Sequence, residues 1–247
     1  MRFPAVLLTA GILLGQGCAR TPLDQMAESE IRVREQSTAA SEAALTPSDI
    51  ALFLKVIQHL PGQQPPEFVE SEMIPLQGTH RLDQSVHQMR MSIRDAVTAE
   101  RQVAEWEQQL PVKRTFVELG VDPHQFAQLM LNISCAWSAW QIRQERPLPE
   151  ARQQLDTRIE QLMSQARQLP DSVDPIEEKE LLNVLEELIV LSEFLRLLEQ
   201  VPAENIDIVA QARSELRQIL PESSLREEFS RYVDSQSRIL RAGFESL

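Results

Sequence analysis

Three residues near position 80 have types and spacing that invite a metal. His80, Asp83 and His87 stand at i, i+3 and i+7, roughly one helix face, and two imidazoles with a carboxylate form a donor set that zinc accepts. Seven residues span about 10.5 Å along a helix axis, too far for both rings to reach one ion without ligands from a second element. The triplet therefore reads as a solvated polar face at a helix start, with no metal expected. Cys135 offers a thiol, but Met130, Ile133, Ala136 and Trp137 surround it in the sequence. A reactive thiolate needs a nearby cation or a helix N-terminus, so this one reads as a core thiol. Trp137 and Trp140, three apart on the same helix, are the candidates for lining a slot that takes an apolar ligand; the plainer reading is core packing. Glu177, Glu178 and Glu180 cluster in a helix's first turn, where the macrodipole favours acids without any bound cation.

No catalytic or cofactor-binding residue emerges beyond these, and no cofactor is expected. After residue 17 the glycines are Gly62, Gly78, Gly120 and Gly243, none grouped as a phosphate-cradling loop requires. There is no Gly-x-Ser-x-Gly elbow and no Cys-x-x-Cys-His. Helical di-iron sites use Glu-x-x-His, whereas the residues three before His59, His80, His87 and His124 are Val56, Gln77, Gln84 and Val121. An enzyme built from dispersed carboxylates and His124 would need a polar cleft with perturbed titratable groups. The expectation is a protein that is not an enzyme.

Charge narrows the partners. The 247 residues carry 37 acidic and 24 basic side chains, a formal net charge of −13. Nucleic acid is not expected as a partner, because binding it rests on clustered Lys and Arg. Arginine outnumbers lysine by 21 to three. With so many carboxylates present, this predicts mixed-sign helix faces laced by i,i+4 pairs.

The N-terminus reads as an address. Arg2 precedes an uncharged apolar run from Phe3 to Leu14, too short to span a bilayer and of the length of a signal-peptide core. Leu14-Gly15-Gln16-Gly17-Cys18 follows, and this resembles the lipobox of bacterial lipoproteins. The family usually has leucine three residues before the cysteine; here Gly15 holds that place and the leucine is Leu14. The resemblance implies removal of residues 1–17 and lipid attachment at Cys18. It also implies an anchor on the periplasmic face of a cell-envelope membrane. Ala19, in place of the aspartate associated with inner-membrane retention, favours the outer membrane. Cleavage after Gly17-Cys18-Ala19 by an ordinary secretory route would instead release the chain.

The elements that must position any site are helices. Residues 18–45 are poor in apolar side chains and read as a flexible tether. Residues 46–247 read as an all-α domain, a multi-helix bundle of about seven to eight helices with no sheet, with a possible sub-division near Pro147. Thr46-Pro47 opens the first helix, which ends at Pro61-Gly62. Residues 61–79, with four prolines, read as an extended segment lying on the body. One long helix is expected from Arg81 to Gln109, then a short one closing at Gly120 and another capped by Asp122-Pro123. Further helices are marked by Leu148 to Leu169, by a coiled-coil-like seam from Leu181 to Leu198, by Ile206 to Ile219 and by Leu225 to Leu240. Phe53–Pro61 and Phe194–Pro202 resemble each other, through duplication or through convergence of amphipathic helices that end at proline.

Two functions follow as expectations. The first is a non-enzymatic envelope lipoprotein, a scaffold or accessory subunit that holds an unknown envelope protein partner. The second is a helical module with an apolar cavity for a lipid or other hydrophobic ligand.

Overall fold

A computed structural model of the chain describes residues 44–66, Leu76, 82–169 and 175–220. The described residues form nine α-helices and no strand, an all-α bundle. The signal region, Cys18, most of the tether, His80 and the expected helix beyond residue 224 lie outside them.

Local signals set the first boundaries. In α1 (Pro47–His59) Thr46 and Asp49 make a reciprocal capping box: the Thr46 hydroxyl accepts from the Asp49 N–H at 3.3 Å, and the Asp49 carboxylate accepts from the Thr46 N–H at 2.8 Å. A 3-10 turn, Pro61–Gln63, follows, with Gly62 at φ 71°. The expected helix from residue 81 to 109 is two helices, α2 (Leu82–Ala96) and α3 (Ala99–Trp106). Thr98 divides them. Its hydroxyl donates to the Asp95 carbonyl at 2.9 Å and accepts from the Arg101 N–H, so it caps α3 instead of continuing α2. Buried Gln102 reinforces the break by donating to the Ala96 carbonyl at 2.6 Å, one of the carbonyls α2 leaves open at its end.

The next boundaries fall where the residue types require. Helix α4 (Leu110–Leu119) closes on Gly120 in the left-handed conformation, φ 63°. Helix α5 (Pro123–Arg143) starts from Asp122, whose carboxylate accepts from the Gln125 N–H at 2.9 Å. Helices α6 (Leu148–Gln168) and α7 (Pro175–Glu199) are the long pair. The stretch from Ile206 to Ile219 was expected as one helix; Ala212 interrupts it at φ −91°, ψ 17°, leaving α8 (Ala203–Gln211) and the short α9 (Arg213–Leu216).

Helix α5 is the hub. Twelve of its 21 residues are buried, and α1, α3, α6, α7 and α8 all pack on it. Ala127, Ala136, Ser138 and Ala139 are among the twelve and let neighbouring helices approach closely. Helix α7 is the second axis, lying on α6 and α2 as well as α5. Its buried stripe begins on Leu182, Leu185 and Ile189 and ends on the expected seam at Leu191, Leu195 and Leu198. Leu181 and Val184, the first seam positions, are only half-buried. The two similar segments agree at Ile57/Leu198 and Leu60/Val201, which are buried in both, and differ elsewhere: Phe53 and Val56 are buried where Phe194 and Leu197 are half-buried, and Leu195 is buried where Leu54 is half-buried.

Two long-range hydrogen bonds fix chain segments that have no helix of their own. The Leu45 N–H donates to the buried Asn205 side-chain oxygen at 2.7 Å, tying the entry of α1 to α8 across 160 residues. The Leu76 N–H donates to Glu186 on α7 at 2.7 Å, and Leu76 itself is buried. At this residue the segment between α1 and α2 does lie on the body. Thr115 adds a third tie, donating to the His59 carbonyl at the end of α1.

Asn205→Ala leaves the Leu45 N–H without its acceptor in a buried place, and should lower unfolding stability by about 1–3 kcal/mol in urea titration. Burial is the main cause that raises the Glu186 pKa, with the Glu187 charge adding to it and the Leu76 N–H opposing it. A carboxyl whose folded pKa is raised binds more protons folded than unfolded, so its contribution to stability falls as pH rises through that pKa. Glu186→Gln keeps an acceptor for Leu76 and removes the charge. It should therefore be at least as stable as the parent at pH 7, with a flatter stability profile between pH 4 and 7.

Candidate functional site

An apolar groove lies at the junction of α3, α4 and α5. Trp106 ends α3, Phe116 faces inward from α4, and Phe126 sits one turn into α5. Their rings pack together: Phe116 and Phe126 centroids are 5.3 Å apart, Trp106 and Phe116 6.1 Å, Trp106 and Phe126 6.2 Å. Phe53 of α1 stacks on Phe126 at 6.1 Å. Because Gly120 turns the chain sharply before Pro123, α4 stands away from the start of α5 and leaves a groove of about 350 Å³. Trp106, Phe116, Val121 and Pro123 line it, with Val117 on one wall and Lys113 at the rim among Glu107 and Asp122.

The outer face of α4 carries two large apolar side chains among the exposed charges of Lys113, Arg114 and Glu118. Leu110 is 77% exposed and Val117 75% exposed. They are seven residues apart, and Lys113 lies between them at i+3, so the three share one stripe. The buried face of the same helix carries Val112, Thr115 and Phe116. Trp106, Leu110, Phe116 and Val117 are not among the residues singled out from the sequence. The helix is ten residues long, and its apolar positions, Leu110, Val112, Phe116, Val117 and Leu119, are too few to show from spacing alone which of them face outward.

The residues singled out from the sequence are dispersed. Trp137 is buried and Trp140 half-buried, with their rings 5.2 Å apart in mutual contact. The groove is lined by Trp106 and not by that pair. Asp83 forms a surface ion pair with Arg167 of α6, His87 is exposed, and His80 is outside the described residues. Among the described residues no group of three or more His, Cys, Asp or Glu is arranged to hold a metal ion. His124 is exposed in the first turn of α5. Glu178 is half-buried and Glu180 exposed at the start of α7, while the side chain of Glu177 is outside the described set.

Arginine does more between helices than the expected i,i+4 pairing. Arg152 and Asp156 make such a pair at 2.8 Å, but Arg152 also holds both oxygens of Glu199 on α7 at 2.9 Å. That partnership, led by the hydrogen bond to Glu199, raises the Arg152 pKa. Asp156 in turn accepts from Ser192 on α7 at 2.6 Å. Buried Glu193 takes arginines from α2. These polar ties cross the α6–α7 and α2–α7 contacts and fix their register.

Comparison with protein-family models, with curated proteins and with solved structures finds no match. Among the described residues no helix is long and apolar enough to cross a membrane.

Burial pushes the Cys135 thiol up to about 11. The thiolate that reacts is therefore scarce at neutral pH. Iodoacetamide at pH 7.5 should label Cys135 at least tenfold more slowly in the native protein than in urea, followed by peptide mass mapping. Equal rates would show an accessible, ionised thiol.

Proposed function

We propose that this protein is a non-enzymatic scaffold or accessory subunit of a bacterial cell envelope, held to a membrane by lipid on Cys18 and acting through protein contacts. The observation that carries the reading is the exposed pair Leu110 and Val117, with Lys113 between them, beside the Trp106–Phe116 groove. Large apolar side chains at more than 70% exposure next to a concave, aromatic-floored surface are the composition of a protein-binding patch. A partner segment with one large apolar side chain, seated in the groove against α4, fits both features. The lipobox resemblance supplies the location, on the periplasmic face of the outer membrane, and the membrane is then a second partner through the lipid.

A second reading is a helical module for a hydrophobic ligand. The groove volume supports it, since about 300–1,000 Å³ is the usual range of small-molecule sites. On this reading the ligand rests on Trp106 and Phe116, not on Trp137 and Trp140.

A photo-crosslinking residue at position 117 of the full chain, expressed in cells, should capture one envelope protein. The double variant Leu110→Asp/Val117→Asp should reduce recovery of that protein in pull-downs from solubilised membranes at least tenfold while leaving the fold intact by circular dichroism. Intact mass should show a Cys18 N-terminus carrying acyl chains. Capture of nothing by a folded, lipidated chain would overturn the scaffold reading; a stoichiometric hydrophobic compound released from the purified protein by organic extraction would favour the second.

A further inference from the structure

Four large apolar side chains stand exposed among the described residues, and Leu110 and Val117 are the two most exposed and the only two that share a helix. They stand beside the groove floored by Trp106 and Phe116, whose rim carries Lys113 with Glu107 and Asp122. Lys113 and Glu107 have no ion-pair partner among the described residues. The surface is therefore unmatched in apolar area and in charge.

The chain itself carries a matching piece. Leu220, buried just after α9, is the last described residue, and residues 221–247 follow it. Among them Leu225, Phe229, Val233 and Leu240 fall four, four and seven apart, on one face of the helix expected there. A single amphipathic helix of this length is marginal in water and draws its stability from packing that face. Arg226, Glu227, Glu228 and Arg231 surround Phe229, so seating that ring brings both signs of charge to a rim that carries both.

Helix α1 gives the distance to be covered. Leu45 at its entry is bonded to Asn205 on α8, and the His59 carbonyl at its end accepts from Thr115 on α4. Its 13 residues rise about 20 Å between those two ties. Helix α9, from which the remaining chain leaves, packs on α8. As a helix, Leu225 to Leu240 covers about 22 Å, and residues 221–224 add up to about 13 Å of extended chain. The length beyond α9 thus matches the span from α8 to α4. Attachment to the same chain supplies an effective concentration on the order of millimolar.

We infer that residues 225–240 seat on α4 in the free protein, with Phe229 in the groove, so that a partner must displace them to bind. This rests on the reading of the groove as a docking site and names what regulates access to it.

The test uses the purified full chain with benzoylphenylalanine at position 117. Irradiation followed by peptide mapping should join position 117 to the 225–240 segment. The yield should hold over a tenfold dilution, and a mixture of isotopically light and heavy chains should give no mixed product. Phe229→Asp and Val233→Asp should each lower the yield at least fivefold, with circular dichroism reporting that the bundle is kept; Ser235→Asp, off the apolar face, should leave it unchanged. In pull-downs Phe229→Asp should raise recovery of a captured partner at least threefold. Absence of the crosslink, a yield unaffected in both folded variants, or unchanged partner recovery overturns the proposal. Mixed light–heavy products overturn it in favour of a second copy as the occupant. Failure to capture any envelope protein in cells overturns the scaffold reading alone, because the crosslink is read on the purified chain.

Discussion

Phe126 sits where four helices meet, and most of the first half of the fold depends on that ring. It is 1% exposed, and it touches Phe53 from α1, Trp106 from α3 and Phe116 from α4. Such ring pairs add about 0.5–1.5 kcal/mol each beyond their burial, because offset and tilted rings bring positive edges to negative faces. The larger effect is geometric. Four rigid rings allow few relative positions for the helices that carry them, so the angle of α4 against α5 is set by packing at Phe116 and Phe126. The groove is a by-product of that angle. Helix α4 is anchored on its inner side by rings and by the Thr115 hydroxyl, and its outer side is left to water.

The second half of the bundle is organised by a different force. Helices α6 and α7 carry leucine stripes that bury generically, and any such pair slides by a turn at modest cost. Polar groups at the margins remove that freedom. Arg152 grips both oxygens of Glu199, and Asp156 receives the Ser192 hydroxyl, so a shift of one turn would strand charged groups that are now paired. Across α7, Glu193 does the same for α2. The aromatic half is fixed by shape and the leucine half by charge, with α5 serving both.

Helix starts were legible in the sequence wherever a cap and a proline coincide. Thr46-Pro47 and Asp122-Pro123 behave as their residue types require, and Gly120 takes the left-handed turn that stops α4. The interruptions at Thr98 and Ala212 were not legible, because apolar spacing runs through both without a break. At Thr98 the decision lies with a hydroxyl and with the buried Gln102 amide, whose partner is six residues away. The groove was hidden for a related reason: periodicity reports which residues a helix buries, and a ten-residue helix leaves too few to show that Leu110 and Val117 lie on the other side. Glu193 under its arginines is a pairing across 99 residues, and no local pattern announces it.

The hydrogen bond from Leu45 to Asn205 also has a mechanical meaning. The described chain enters the bundle here, and Asn205 belongs to α8, which packs directly on α5. A pull on the N-terminal side is therefore not borne by α1 alone, which would peel from its end one turn at a time. It is shared at once with an element 160 residues away in the chain and passed to the central helix. Such a bond sits at the load point of the fold, where it converts unzipping of a terminal helix into shear across several packed surfaces.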